Sequence, residues 1–267
     1  MPLRANELRF ISIMLMRKQH LYRLDLLSWL MMKMSRFVFA VILMLSAHRM
    51  GYAQVGLGGF NAIMTAPTAQ VMPDGYAALG FGFIPSPYTL YEGPERDNLA
   101  YFASIGFLPF LEIGIRATLS LDTDHPSIGD RMLSVRAQLL KESSHFPAIG
   151  AGLHDIAGLL DRAEGTNNYF TALYLVATKT RRLSEHFSLE ATLGYGVDWI
   201  PAPSHEFDDL FGGASLGFRD MLFLKGEYDA RRFNAGLSVK LRESITVNLV
   251  LIDGNKVAYG ANIRTRL

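Results

Sequence analysis

Three places in the sequence carry residue types and spacings that do chemistry. His186-Phe187-Ser188 sets an imidazole two positions from a hydroxyl, with Glu190 two positions further on. On a strand these three side chains share a face, the arrangement in which an imidazole activates a serine against an ester. His154-Asp155 puts an imidazole beside a carboxylate, raw material for an acid–base pair or a metal site. Gly56-x-Gly58-Gly59 is a short glycine run of the sort that cradles phosphate. Each meets an objection from position. The glycine run has no strand before it and no helix after it, which a phosphate loop needs. Adjacent residues on a strand face opposite ways, so His154 and Asp155 share a ligand only if the strand ends between them. With no cysteine, the chain has no thiol nucleophile and no disulfide framework. Neither cofactor nor metal is expected.

The elements that position these residues decide more than the residues do. Leu111, Ile113, Ile115, Ala117 and Leu119 alternate strictly with Glu112, Gly114, Arg116 and Thr118. Strands turn successive side chains to opposite faces, so this stretch has one apolar and one wet face. The same alternation runs from Phe187 to Trp199 and recurs to the last residue. Repeated strands of about ten residues with this pattern mark a transmembrane β-barrel.

Composition agrees. The chain has 267 residues, 49% hydrophobic, with a net charge of +1, so nothing draws it to nucleic acid. Despite that hydrophobicity no apolar run approaches the ~20 residues of a membrane-spanning helix. The longest, Phe37 to Ala47, has the length of a signal-peptide core, preceded by Lys33 and Arg36 and closed by Gly51-Tyr52-Ala53. Cleavage is expected after Ala53. The basic, Leu- and Met-rich beginning is most simply explained by an upstream start codon, with the true start near Met32 or Met34; an extended n-region is the alternative. The organisation expected is therefore 1–53 extension and signal peptide, 54–74 irregular lead-in, and 75–267 barrel. Pro67 and Pro73 cannot donate in a ladder, so the lead-in is an edge, a turn or a piece folded into the lumen.

Strands are expected over 75–84, 99–107, 110–120, 130–140, 147–155, 168–179, 186–199, 209–218, 221–229, 232–241, 245–252 and 256–267. The fold class is all-β, a single antiparallel barrel of about twelve strands. Connections alternate long and short, as outer-membrane barrels alternate outer loops with periplasmic turns. That puts His186-x-Ser188 at the periplasmic start of a strand, facing inward, whereas a lipid hydrolase must meet lipid. The wet face carries Glu112, Arg116, Arg136, Glu190, Asp198, Lys225, Glu227, Asp229, Lys240 and Arg264, interleaved with glycine. These are the candidate lumen-facing polar residues, read as an internal network of paired charges or as a selectivity filter. Phe187, Tyr195, Trp199, Tyr228 and Tyr259 fall on the lipid-facing side, Phe102 and Tyr174 on the other.

Four strings carry a family resemblance. They are Gly59-Phe60-Asn61-Ala62-Ile63-Met64-Thr65-Ala66-Pro67-Thr68-Ala69 followed by Met72-Pro73-Asp74-Gly75; Ala137 to Glu142 with Phe146 to Gly158; Tyr174 to Lys179; and Leu224-Lys225-Gly226-Glu227-Tyr228-Asp229. In this order they resemble the YjbH-like outer-membrane proteins associated with exopolysaccharide production. Known members are longer and often lipoproteins, so this chain reads as a minimal one-barrel form. The resemblance implies a non-enzymatic accessory of exopolysaccharide production or export in the outer membrane of a Gram-negative bacterium. Its partners would be outer-membrane lipid, polysaccharide and other envelope export proteins. A small diffusion porin or structural barrel is the alternative, and an outer-membrane lipid hydrolase a distant one.

Overall fold

The computed structural model describes residues 54–86, 88, 96–121, 127–156, 171–200, 202, 205–242 and 244–267. The expected signal peptide lies outside these. The strands are β1 (Tyr76–Ile84), β2 (Asn98–Leu108), β3 (Leu111–Ser120), β4 (Ser127–Leu140), β5 (Ala148–His154), β6 (Ala172–Arg182), β7 (Phe187–Val197), β8 (Asp209–Phe218), β9 (Leu222–Tyr228), β10 (Phe233–Arg242), β11 (Ile245–Ile252) and β12 (Lys256–Arg266). Each pairs antiparallel with its sequence neighbours, and β1 pairs with β12 from Tyr76↔Arg266 to Phe83↔Tyr259. The barrel is closed, with no free edge. Among the described residues twelve strands form, where about twelve were expected. The largest shift is at β6, which begins at Ala172 and runs to Arg182.

The alternation of the sequence becomes two surfaces. Ile115, Leu175 and Leu224 stand outward and are 58%, 58% and 62% exposed. Glu112, Arg116 and Arg136 point inward and are buried. Tyr195, Trp199, Phe187 and Tyr259 are exposed, and Phe102 and Tyr174 are buried. An apolar exterior around a charged interior is the reverse of a soluble barrel and is the transmembrane arrangement. Both termini of the barrel, with the connections 109–110, 141–147, 183–186, 219–221 and 243–244, lie at one end, the terminal end. The opposite end, the loop end, is where β1 leads to β2, β3 to β4, β5 to β6 and β7 to β8, and it carries two tight turns at 229–232 and 253–255.

A twelve-stranded barrel is wider than the eight-stranded kind whose interior wall side chains fill by themselves. Here the space is taken by residues 54–73, which run inside the barrel. Leu57, Ile63, Met64, Ala66, Ala69 and Met72 are each 2% exposed or less. The lead-in is thus the lumen-folded piece among the expected options. Inward-facing glycines make room for it. A Cβ at Gly82 would sit 2.7 Å from the Leu57 carbonyl oxygen, and one at Gly106 would collide with the Pro73 carbonyl. At Gly82 and Gly106 the barrel wall therefore meets the backbone of the interior segment directly.

Candidate functional site

The interior segment, or plug, has few regular hydrogen bonds of its own, so its buried backbone groups need other partners. Some it supplies by doubling back. Gly56 N donates to Phe60 O, Ala62 N to Gln54 O, Leu57 N to Met64 O and Ile63 N to Ala66 O, each at 2.9 Å. Gly59, at φ 91°, takes the left-handed conformation that the first of these reversals requires. Pro67 has no N–H to satisfy, which suits a position inside a non-ladder fold.

The rest are satisfied by charged and polar side chains from the wall. Glu227 on β9 accepts from three successive backbone groups, Met64 N at 2.9 Å, Thr65 N at 3.0 Å and Ala66 N at 3.0 Å. The Thr65 hydroxyl donates to it at 2.6 Å and Asn234 Nδ2 at 3.2 Å. Lys225, two residues earlier on the same inward face, donates to Ile63 O at 2.6 Å. Across the lumen, Glu112 on β3 accepts from Met72 N at 3.0 Å and Asn61 Nδ2 at 3.1 Å. Arg136 on β4 donates to Thr68 O and pairs with Glu112 at 3.2 Å. Thr178 on β6 accepts from Ala69 N at 2.8 Å, while Asn248 on β11 and Asn262 on β12 donate to Val55 O. The plug is tied to opposite walls at once.

From Arg136 a polar chain runs toward the loop end. Its Nε donates to Tyr174 OH at 3.1 Å, which lies 3.3 Å from His154 Nε2. His154 Nδ1 is 2.7 Å from Glu206 Oε2, and Arg116 Nη2 donates to Glu206 Oε1 at 2.9 Å. A neutral His154 protonated on Nδ1 donates to Glu206 and accepts from Tyr174, leaving both ring nitrogens satisfied. Phe60 of the plug packs on His154 with ring centroids 4.4 Å apart. Burial alone raises the Glu206 carboxyl, but the Arg116 guanidinium and the His154 contact outweigh it. They hold the carboxyl below its ordinary 4.5, at about 2.

The ten candidate lumen residues separate on this frame. Glu112, Arg116, Arg136, Lys225 and Glu227 are buried around the plug. Glu190, Lys240 and Arg264 are half-buried on the inward face toward the terminal end, with the Arg264 guanidinium 5.9 Å from the Tyr76 ring centroid. One is corrected: Asp198 lies past the end of β7 at Val197 and is exposed, because the strand stops sooner than the alternation implied. Asp229 lies just past β9 at the loop end of the lumen, where its carboxylate accepts from Arg231 N, Arg232 N and the inward-facing Asn234 Nδ2. Glu206, Asn61, Tyr174 and Thr178, which hold the network together, were not among the ten. Glu206 sits in a connection, where alternation gives no signal, and Asn61 in the plug. Tyr174 and Thr178 do lie on the inward face of β6, but as neutral side chains.

The hydrolase-like triplet does not assemble. His186 is exposed in the 183–186 turn, its ring 6.4 Å from that of Phe218, and no hydrogen bond joins it to Ser188. His154 and Asp155 are both buried at the end of β5, with His154 committed to Glu206 and Tyr174. Among the described residues no group of three or more histidine or acidic side chains is placed to hold a metal.

Comparison with known proteins locates this arrangement. A family model described as "Exopolysaccharide biosynthesis protein YbjH" matches residues 53–232, which take in the plug and strands β1 to β9. The chain belongs to the YjbH family. No curated protein matches it. Among solved structures it is similar to a KdgM porin at 11% identity, covering 71% of this chain and 99% of that one, with a TM-score of 0.41. It is also similar to the COG4313 outer membrane channel from Pseudomonas putida F1, at 11% identity, 74% and 98% coverage and a TM-score of 0.37. In this YjbH member the two strings around Met64 and Lys225, far apart in sequence, meet at the Glu227 cradle.

Proposed function

We propose that the protein is a non-enzymatic barrel of the Gram-negative outer membrane that assists exopolysaccharide production or export, with its lumen closed by its own N-terminal segment. The observation that carries this reading is the plug. A diffusion pore works through an open bore, and a wall whose charges are spent on fixing an internal segment leaves little bore to diffuse through. The family's description supplies the substrate class. The non-enzymatic part of the reading is supported by His186 standing exposed in a turn without a hydrogen bond to Ser188, since nucleophile and base must come within hydrogen-bond reach. Outer-membrane lipid surrounds the apolar belt, and polysaccharide and envelope export proteins are the partners proposed for the two ends. Deleting the gene tests the reading. Secreted polysaccharide should change while permeability to small hydrophilic solutes stays constant. Unchanged polysaccharide with lowered solute uptake would establish the porin alternative instead.

A further inference from the structure

The plug is also a floor. Above it, at the loop end, lies a cup bounded by Leu57 and Phe60 below and by Tyr88, Glu206, Asp229 and Arg232 around the sides. The volume open to the centres of water molecules is ≈ 90 Å³. At ~30 Å³ of liquid per water, that is room for about three waters. It seats one charged group with the edge of the ring that bears it, and is too small for a chain to thread.

The lining selects by charge. Three arginines, Arg116, Arg231 and Arg232, face two carboxylates, Glu206 and Asp229. Both carboxylates are engaged within the protein, Glu206 by Arg116 and His154, Asp229 by Arg231 N, Arg232 N and Asn234 Nδ2. The Arg232 guanidinium is different. It lies 4.6 Å from the Tyr88 ring centroid and makes no hydrogen bond or ion pair to the other described residues. Tyr88 is itself fixed, buried and bonded by Asn255 Nδ2 at 3.3 Å. An arginine laid on a held aromatic ring keeps its planar fork of donors pre-set, and such a fork matches a carboxylate.

We propose that this cup binds a single sugar unit bearing an anionic group, a uronate being the simplest example, with the carboxylate on Arg232 and the ring over Leu57 and Phe60. The proposal rests on the polysaccharide reading above for the sugar, and on the cup for the charge. The test is titration of the purified full-length mature barrel in detergent with glucuronate, glucose and inorganic phosphate, followed by calorimetry or ligand-observed NMR. Glucuronate should bind, glucose and phosphate at least about tenfold more weakly, and Arg232→Ala should lose about tenfold of the glucuronate affinity. Arg232→Lys should keep part of it, and Tyr88→Leu should weaken it with the barrel still folded by heat-modifiable gel migration. Equal binding of glucose and glucuronate, phosphate binding as tightly as glucuronate, or an Arg232→Ala barrel that binds like wild type would each overturn the proposal. Failure here is separable from failure of the polysaccharide reading. A deletion that alters polysaccharide alongside a barrel that ignores glucuronate sinks only the cup, and the converse pair of results sinks only the reading.

Discussion

Glu227→Ala should unlatch the plug. The wild-type carboxylate takes three consecutive backbone N–H groups, the Thr65 hydroxyl and the Asn234 amide. Hydrogen bonds to a charged group contribute about 1.5–3 kcal/mol each, and orphaning a buried donor costs about 1–3 kcal/mol. These do not add in full, because water enters the space the side chain leaves. A net cost of about 3–5 kcal/mol, the range for removing one partner of a buried charge interaction, is the working figure. At about 1.4 kcal/mol per factor of ten, the undocked state gains about 10²- to 10⁴-fold in population. The barrel wall loses much less, since the β9 ladders to β8 and β10 are backbone bonds that alanine keeps. In planar bilayers wild type should be closed and Glu227→Ala should show stepwise opening. Glu227→Gln, which keeps an oxygen acceptor but turns an NH₂ toward some of the N–H groups, should fall between. Because the chain has no cysteine, Thr65→Cys gives a single label site in the plug. The introduced thiol should become reactive to a water-soluble reagent when Glu227→Ala is added. A Glu227→Ala barrel that stays silent in bilayers, with that thiol as protected as before, would refute the idea that this carboxylate holds the plug.

Three further outcomes rest on the same geometry and a fourth on the signal-peptide pattern. Gly106→Val should drive the wall into the Pro73 carbonyl and lower stability by about 1–3 kcal/mol, read as a fall in thermal unfolding temperature, whereas Gly226→Val, with open space around its Cβ position, should cost less. Glu206 has its folded pKa depressed to about 2 from 4.5, so its contribution is full above about pH 4.5 and is lost as pH falls toward 2. That is worth about 3 kcal/mol by linkage, and Glu206→Gln should flatten the acid limb of a stability-versus-pH curve. His186→Ala and Ser188→Ala should leave polysaccharide output unchanged, and a loss with either would revive the hydrolase reading. N-terminal sequencing of the membrane-extracted protein should begin at Gln54; an intact upstream sequence in the inner membrane would remove the processing argument.

The wall of this molecule was legible from its residues and the filling was not, and one physical reason covers both. A strand in a membrane barrel must present lipid on one side and something wet on the other, so period-two alternation is imposed locally and can be read locally. Leu111 to Leu119 displays it without reference to any other part of the chain. The plug obeys no such period. Its backbone groups are satisfied by wall residues distant in sequence, more than a hundred positions away for Met64 with Glu227 and for Ala69 with Thr178. What the sequence offered was indirect: prolines that bar a ladder, and glycines on the wet face with no stated reason to be there. Gly82, Gly106 and Gly236 find that reason only when Leu57, Pro73 and Met64 arrive against them. Asp198 fails in the opposite sense, for it continues the alternation past the point where the ladder ends. The inward charges were read as a network of pairs or as a filter. Glu112 does pair with Arg136 and Arg116 with Glu206, but Lys225 and Glu227 spend themselves on the plug's backbone. A charge that holds a carbonyl or an N–H in place is unavailable to a passing solute. That is the physical ground for treating this lumen as a seat for the chain's own N-terminal segment.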